Sequence, residues 1–326
     1  MFLHPSSLLF FISLVTSTFM VLSAESWFMV WLFLEINLLL FIPFLFIKKS
    51  KYQGEASLKY FINQACSSII ILTSVSLLTS NYYFFNLLYL AFMLKMGVAP
   101  LHGWLISVSS SIEWLGLWLL MVPQKVAPMF VVFMLQKQFL FNLILMFIIF
   151  TAFMGALGGL TTPSLKKIIV YSSIAQMGWL LAAAMVGVLP VFFYFLVYSM
   201  MLSVLVATLS FTFCNKINDL MTSKMKNLKI LITMNMMSLG GLPPFSGFMI
   251  KAFVMISLTE SPNLSSLLTP LIISSVISLF FYIRVFYAAL MLKTSKKSVT
   301  SAQSLKSSFL VSLNLLTLPG ALLMFL

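Results

Sequence analysis

Charge is what this chain most lacks. Only 8 % of its 326 residues are Asp, Glu, Lys or Arg, and just six of those are acidic, where a soluble domain carries roughly a quarter. So few charges cannot cover a water-facing surface, which leaves lipid as the solvent. Cysteine is nearly as scarce. Cys66 and Cys214 are too few for an iron–sulfur cluster, a zinc site or a disulfide framework, and both are expected to be buried packing thiols. The two histidines are His4 and His102. The sequence has no P-loop, no Gly-rich nucleotide loop and no metal-ligand cluster, so redox or nucleotide chemistry would have to belong to partner proteins.

What the chain has instead is 61 % hydrophobic residues and a mean hydropathy of +1.10. Its apolar runs are long and continuous, unlike the alternating segments of about 10 residues in outer-membrane barrels, so the expected fold class is an all-α polytopic membrane protein. At roughly 20 residues per crossing, about eleven spans fit, near residues 3–22, 26–47, 57–79, 83–110, 113–135, 139–159, 165–187, 190–213, 228–257, 265–291 and 308–325. The first run, from Leu8 to Leu22, has neither a basic leader nor a small-residue cleavage site and reads as a spanning helix with a mature N-terminus, not as a signal peptide.

The net charge of +13 would point to nucleic acid in a soluble protein, but here the positions of the cations matter more than their sum. With alternating spans, Lys48, Lys49, Lys51, Lys59, Lys166, Lys167, Lys216, Lys224, Lys226, Lys229, Lys293, Lys296, Lys297 and Lys306 fall on the N-terminal side, and Lys137 alone on the other. That asymmetry predicts that the N-terminus and the lysine-rich loops face the cytoplasm or its organellar equivalent, with the C-terminus opposite. Lys95, Lys125, Lys251 and Arg284 are left at membrane depth.

A charge in hydrocarbon needs a partner, water or a proton-transfer role. Lys95 ends an apolar half-span, and Gly97 and Pro100 then weaken the helix; such breaks are tolerated where they face protein or a water-filled cavity. Lys95 therefore borders a polar pocket or is neutralised by carbonyls freed at the break. His102, seven residues on, reads equally as a proton relay or as a satisfied core histidine. Glu35, near the middle of the second span, reads as a functional carboxylate or as half of a structural ion pair. Lys125 stands between Pro123 and Pro128, either as a second polar station or at a simple kink. Lys251 follows a Gly240-Gly241-Leu242-Pro243-Pro244 interruption, so a broken span with a nearby lysine occurs twice, as in transporters built from inverted repeats. Arg284, always protonated, is expected to snorkel or pair structurally, and Glu113 and Glu260 to lie at the interfaces.

Six segments, Trp31–Pro43 with its Glu-x-Asn, Glu55–Phe61, Lys95–His102, Gln124–Pro128, Tyr171–Trp179 and Ser238–Lys251, together resemble the antiporter-like membrane subunits of respiratory complex I, in order and over nearly the whole chain. The resemblance implies two inverted five-helix repeats with broken fourth and ninth helices, residues 1–136 and 137–292, then a loop and C-terminal helix over 293–326. It implies a core membrane-arm subunit of a proton-pumping NADH:ubiquinone reductase in the mitochondrial inner membrane, lysine-rich loops in the matrix. By position, Glu35 would tune Lys95, Lys125 would bridge toward the second half and Lys251 would be the terminal exchange point, with His102 secondary, in a lateral proton relay coupled to quinone reduction elsewhere. NADH, FMN, iron–sulfur clusters and ubiquinone would be bound by partner subunits and none by this chain. Implied partners are the other membrane-arm and accessory subunits and lipid, cardiolipin among them, with no nucleic acid. Relatives often carry histidine where this chain has Gln176, so a titratable group there is not essential. The same lysines and breaks also suit a subunit of a cation/proton antiporter, or a spacer whose buried charges only fix helix packing.

Overall fold

A computed structural model describes residues 5–47, 50–78, 84–136, 140–212, 214–222, 226–243, 245–261 and 264–291. His4, Lys48, Lys49, Lys137, Lys224, Pro244, the lysines from Lys293 to Lys306 and the expected span over 308–325 lie outside them. The described residues form fourteen α-helices and one 3₁₀ turn, with no strand among them. Seven helical stretches are long and apolar enough to cross a membrane. Of the other expected spans, the first is a shorter apolar helix, and the fourth and ninth are each divided in two.

The chain divides into two compact units, residues 1–147 and 148–326. In the first, α1 (Pro5–Leu22) lies along α2 (Trp27–Leu45), and α2 packs against α3 (Lys51–Leu77). The long α3 carries both halves of the fourth span, α4 (Phe84–Met96) and α5 (Gly103–Ser111). The fifth span is also interrupted: α6 (Trp114–Met121) ends at Val122 and α7 (Pro123–Leu135) starts on a proline, where the missing N–H costs nothing, then packs on α1 and α4. Tyr89, Phe92 and Met93 of α4 are fully buried, and Lys95 lies on the same helix two residues further on, itself buried.

α8 (Phe141–Thr161) runs across the boundary. The second unit is built around α9 (Leu165–Val186), which is buried on every side over most of its length. Against it pack α10 (Val188–Thr212), α13 (Ser246–Thr259) and α14 (Leu268–Leu290), while α12 (Lys226–Gly240) lies between α10 and α14. The short α11 (Ile217–Thr222) is a helix the hydropathy pattern does not predict; the Asp219 carboxylate accepts from the N–H groups of Asn215 and Lys216 at 3.0 and 2.8 Å and so starts it. Arg284 donates to the carbonyls of Gly159, Leu160 and Thr162 at 2.7–3.1 Å, capping the C-terminal end of α8 where a cation complements the helix dipole.

Polar side chains within the spans mostly satisfy themselves. Ser67 and Ser74 donate back to the carbonyls of Gln64 and Ile71 at 2.6 and 2.8 Å, which lets the serine-rich α3 sit in an apolar setting. Large apolar side chains such as Phe19, Ile69, Phe150 and Phe192 stay exposed, as on a lipid-facing surface. Cys214 is buried as expected, but Cys66 is exposed on α3. That corrects the expectation for Cys66: with an apolar solvent outside, a weakly polar thiol gains little from an interior position.

Candidate functional site

The two divided spans break in the same way. α4 closes on Gly97, at φ 67°, whose N–H reaches the Leu94 carbonyl at 3.1 Å while the Val98 N–H reaches that of Met93 at 3.0 Å. α12 closes on Gly241, at φ 80°, with Gly241 N–H to Ser238 O at 3.0 Å and Leu242 N–H to Met237 O at 3.4 Å. Both are Schellman caps, and their left-handed φ explains the glycines. Such a cap satisfies two of the four terminal carbonyls. The next two, Lys95 and Met96 at the first break and Leu239 and Gly240 at the second, have no partner inside the helix.

A glutamine takes the first carbonyl of each remaining pair. Gln64 of α3 donates to Lys95 O at 3.1 Å, and Gln176 of α9 to Leu239 O at 3.0 Å. Neither was singled out as a site residue from sequence. The available signal was the cost of an amide in an apolar span, which makes every intramembrane Asn or Gln a marker of a polar partner.

At the first break, Lys95 is 7 % exposed and lines a cavity of about 20 Å³ with Asn37, Tyr60, Gln64 and Gln124. That volume is enough for one water molecule. An amide ladder forms its wall: Tyr60 donates to Gln124 Oε1 at 3.3 Å, and Gln124 Nε2 to Asn37 Oδ1 at 3.0 Å. Glu35 sits one residue off this wall, within electrostatic reach of both Lys95 and Tyr60 but not in an ion-pair contact with the lysine. Its Oε2 is buried with no hydrogen-bond partner among the described residues. Lys125, 2 % exposed in the first turn of α7, lies in the same unit and does not line the cavity. His102 turns away into the break itself, with Nδ1 3.2 Å from Pro100 O, and does not line the cavity either.

At the second break, Lys251 lies in the second turn of α13 and reaches back. Its Nζ donates to Gly240 O at 2.9 Å and to Leu239 O at 3.5 Å, and sits 5.8 Å from the centroid of a Trp179 ring. Around Gln176, Tyr194 donates its hydroxyl to Oε1, and Tyr282 lies against both Gln176 and Ser172. The structure thus sets Glu35 within electrostatic reach of Lys95 in the first unit, buries Lys125 on α7 of the same unit, and sets Lys251 among break carbonyls in the second. Chemically, each lysine is an amine held out of bulk water, and Lys251 is in addition held by acceptors that favour its protonated form, an arrangement that could hold and release a proton.

Residues 24–83 and 79–281 match the family described as NADH:quinone oxidoreductase/Mrp antiporter, transmembrane. The NADH-ubiquinone oxidoreductase chain 2 of Anopheles gambiae is 36 % identical over 90 % of this chain and 88 % of its own length. A chain of respiratory complex I from Thermus thermophilus, solved with bound aureothin, shares the fold with a TM-score of 0.83 at 20 % identity, over 95 % of this chain and 76 % of that one. A chain of the Mrp complex from Dietzia shares it with a TM-score of 0.76 at 17 % identity, over 88 % of this chain and 61 % of that one. The fold is therefore common to both kinds of assembly, and it is the sequence identity along the whole length that separates them: the chain belongs to the NADH:quinone oxidoreductase/Mrp antiporter family and, within it, to the NADH-ubiquinone oxidoreductase chain 2 proteins.

Proposed function

We propose that this chain is a core membrane-arm subunit of the proton-pumping NADH:ubiquinone oxidoreductase, complex I, of the mitochondrial inner membrane. It works among the other subunits of that complex and crosses the membrane several times. The observation that carries its role in pumping is the burial of Lys95, Lys125 and Lys251, at 7, 2 and 5 % exposure, each at an interruption of a spanning helix. Amines are retained in such places, against a solvation cost of several kcal/mol or more, where proton transfer needs them.

In this reading the spans form two inverted five-helix repeats, a view supported by the matching Schellman caps of the fourth and ninth spans. Glu35, Lys95, Lys125 and Lys251 act as a lateral relay, and His102 is a secondary station. An amine shielded from water tends to lose its proton, and a carboxylate nearby favours keeping it, so a change in the influence of Glu35 on Lys95 alternately loads and releases a proton. The lysine-rich loops and the N-terminus face the matrix, the C-terminus faces the intermembrane space, the redox groups and quinone belong to partner subunits, and lipid, cardiolipin included, covers the exposed apolar faces.

Lys95→Met in the assembled complex tests this reading. The expected result is loss of most protons pumped per electron, with the complex still present on a native gel; an unchanged proton-to-electron ratio refutes it. The likeness to an Mrp complex chain favours one rival, a cation/proton antiporter subunit. That rival requires sodium or potassium exchange for protons in vesicles given neither NADH nor quinone.

A further inference from the structure

At the second break one carbonyl oxygen serves two donors. Leu239 O accepts from Gln176 Nε2 at 3.0 Å and from Lys251 Nζ at 3.5 Å. Both draw on the same negative end of one C=O dipole, so the stronger the amide bond, the less that oxygen offers the ammonium. The amide has no freedom to turn away. A carbonyl only accepts, so the Gln176 nitrogen must face Leu239, and the Tyr194 hydroxyl donates to the opposite end, Oε1. Reversing the amide would set two oxygens against each other at Leu239. Gln176 is 4 % exposed and Tyr194 1 %, so both bonds lie away from the protein surface.

From this geometry we infer that Tyr194 and Gln176 form a positioning pair that sets how firmly the second break holds the Lys251 proton. The inference rests on the relay reading above and deepens it. Tyr194 orients the amide, the amide occupies the Leu239 oxygen, and Lys251 is left with Gly240 O as its one unshared carbonyl. Glutamine does not titrate, so the setting is constant with pH.

The elements packed on α13 are α9, α10, α12 and the 3₁₀ turn Ser265–Leu267. Lys251 meets Trp179 and the Leu239 and Gly240 carbonyls; the titratable groups of α10 are phenols, Tyr194 on Gln176 and Tyr198 against Ser173 among them, and the 3₁₀ turn has no titratable side chain. The charged side chains described on these elements, Lys166 and Lys167 of α9 and Lys229 of α12, stand near the starts of their helices, about ten residues from the residues that meet Lys251. A shift in the pH behaviour of Lys251 therefore reports on the carbonyl and its amide.

The test reads NADH:ubiquinone turnover and protons per electron across pH in the assembled complex. Gln176→Leu frees the Leu239 oxygen for Lys251 alone, and the alkaline limb of the pumping profile moves to higher pH by about one unit, the worth of one shared hydrogen bond. Tyr194→Phe moves it the same way by less, and the double variant moves it no further than Gln176→Leu, because both act through one oxygen. Tyr198→Phe, equally buried but set against Ser173, leaves the limb in place. A uniform loss of turnover with an unmoved limb, additive shifts, or an equal shift in Tyr198→Phe overturns the pairing. If Tyr194→Phe does not assemble, Gln176→Met carries the same test. Lys251→Met separates the two levels: if it leaves pumping intact, the relay reading fails, whatever the limb does in the other variants.

Discussion

The two helix breaks share a cap and differ in where the lysine stands relative to it. Lys95 precedes Gly97, so its own carbonyl is one of those the cap leaves over, while its ammonium is free to turn to a cavity the size of one water and to the field of Glu35. Lys251 follows Gly241, so its ammonium folds back onto the carbonyls the cap leaves over. The difference lies in what surrounds each amine. At the first break the neighbour of opposite sign is a carboxylate acting through space; at the second the amine meets a pair of peptide dipoles directly. The first amine lines a cavity, and the second is held by backbone.

The sharpest way to break this comparison uses the glycines that open the second half of each span. A Cβ on Gly247 would lie 1.7 Å from Ser238 O and 2.7 Å from its carbonyl carbon, both backbone atoms, so α13 starts pressed against the end of α12. A Cβ on Gly103, at the start of α5, meets nothing within 4 Å. Gly247→Ala is expected to remove most of the assembled complex on a native gel, because backbone cannot step aside as a side chain can. Gly103→Ala should stay within about 0.5 kcal/mol of the parent, as substitutions away from contacts do. Equal losses would mean that the first break is as tightly stacked as the second.

Much of this was legible in the sequence, and what was not has a common cause. Long apolar runs marked the helices, and Gly97 with Pro100, and Gly240-Gly241 with Pro243, marked the breaks, because glycine and proline act on the local backbone. The buried lysines stood out because charge is so costly in lipid. The partners were hidden: Gln64 meets Lys95 O across 31 residues and Gln176 meets Leu239 O across 63, and no local rule pairs positions that far apart. The division of the fifth span at Val122 was hidden too, since Pro123 and Pro128 read alike as a kink or as a new helix start. Cys66 misled because burial habits of thiols are learned from proteins in water.

A middle-sized effect comes from the glutamines. Gln64→Leu leaves Lys95 O without its side-chain donor, and an unsatisfied buried carbonyl costs about 1–3 kcal/mol. Gln176→Leu removes the corresponding bond at the second break, but there Lys251 still donates to the same oxygen. The Gln64 variant should therefore lower the thermal inactivation midpoint of the complex more than the Gln176 variant does. The reverse order would show that the Lys251 ammonium does not satisfy Leu239 O.

The smallest effect tests the two indoles. Trp104 spends its Nε1–H on Leu94 O at 3.0 Å, a carbonyl that the Gly97 N–H already serves. Trp179 instead offers its ring to the Lys251 ammonium, an attraction of about 0.5–2 kcal/mol that exists only while the amine is protonated. Trp179→Leu should then move the alkaline limb of pumping to lower pH, opposite in sign to Gln176→Leu, and by a few tenths of a unit to about one unit given the 5.8 Å separation. Trp104→Phe should lower the thermal midpoint slightly and leave the limb where it is, because its bond is made to a carbonyl and not to the titrating group. A limb that moves in Trp104→Phe and stays fixed in Trp179→Leu would invert the assignment, making the first break the one whose proton is held by its immediate surroundings.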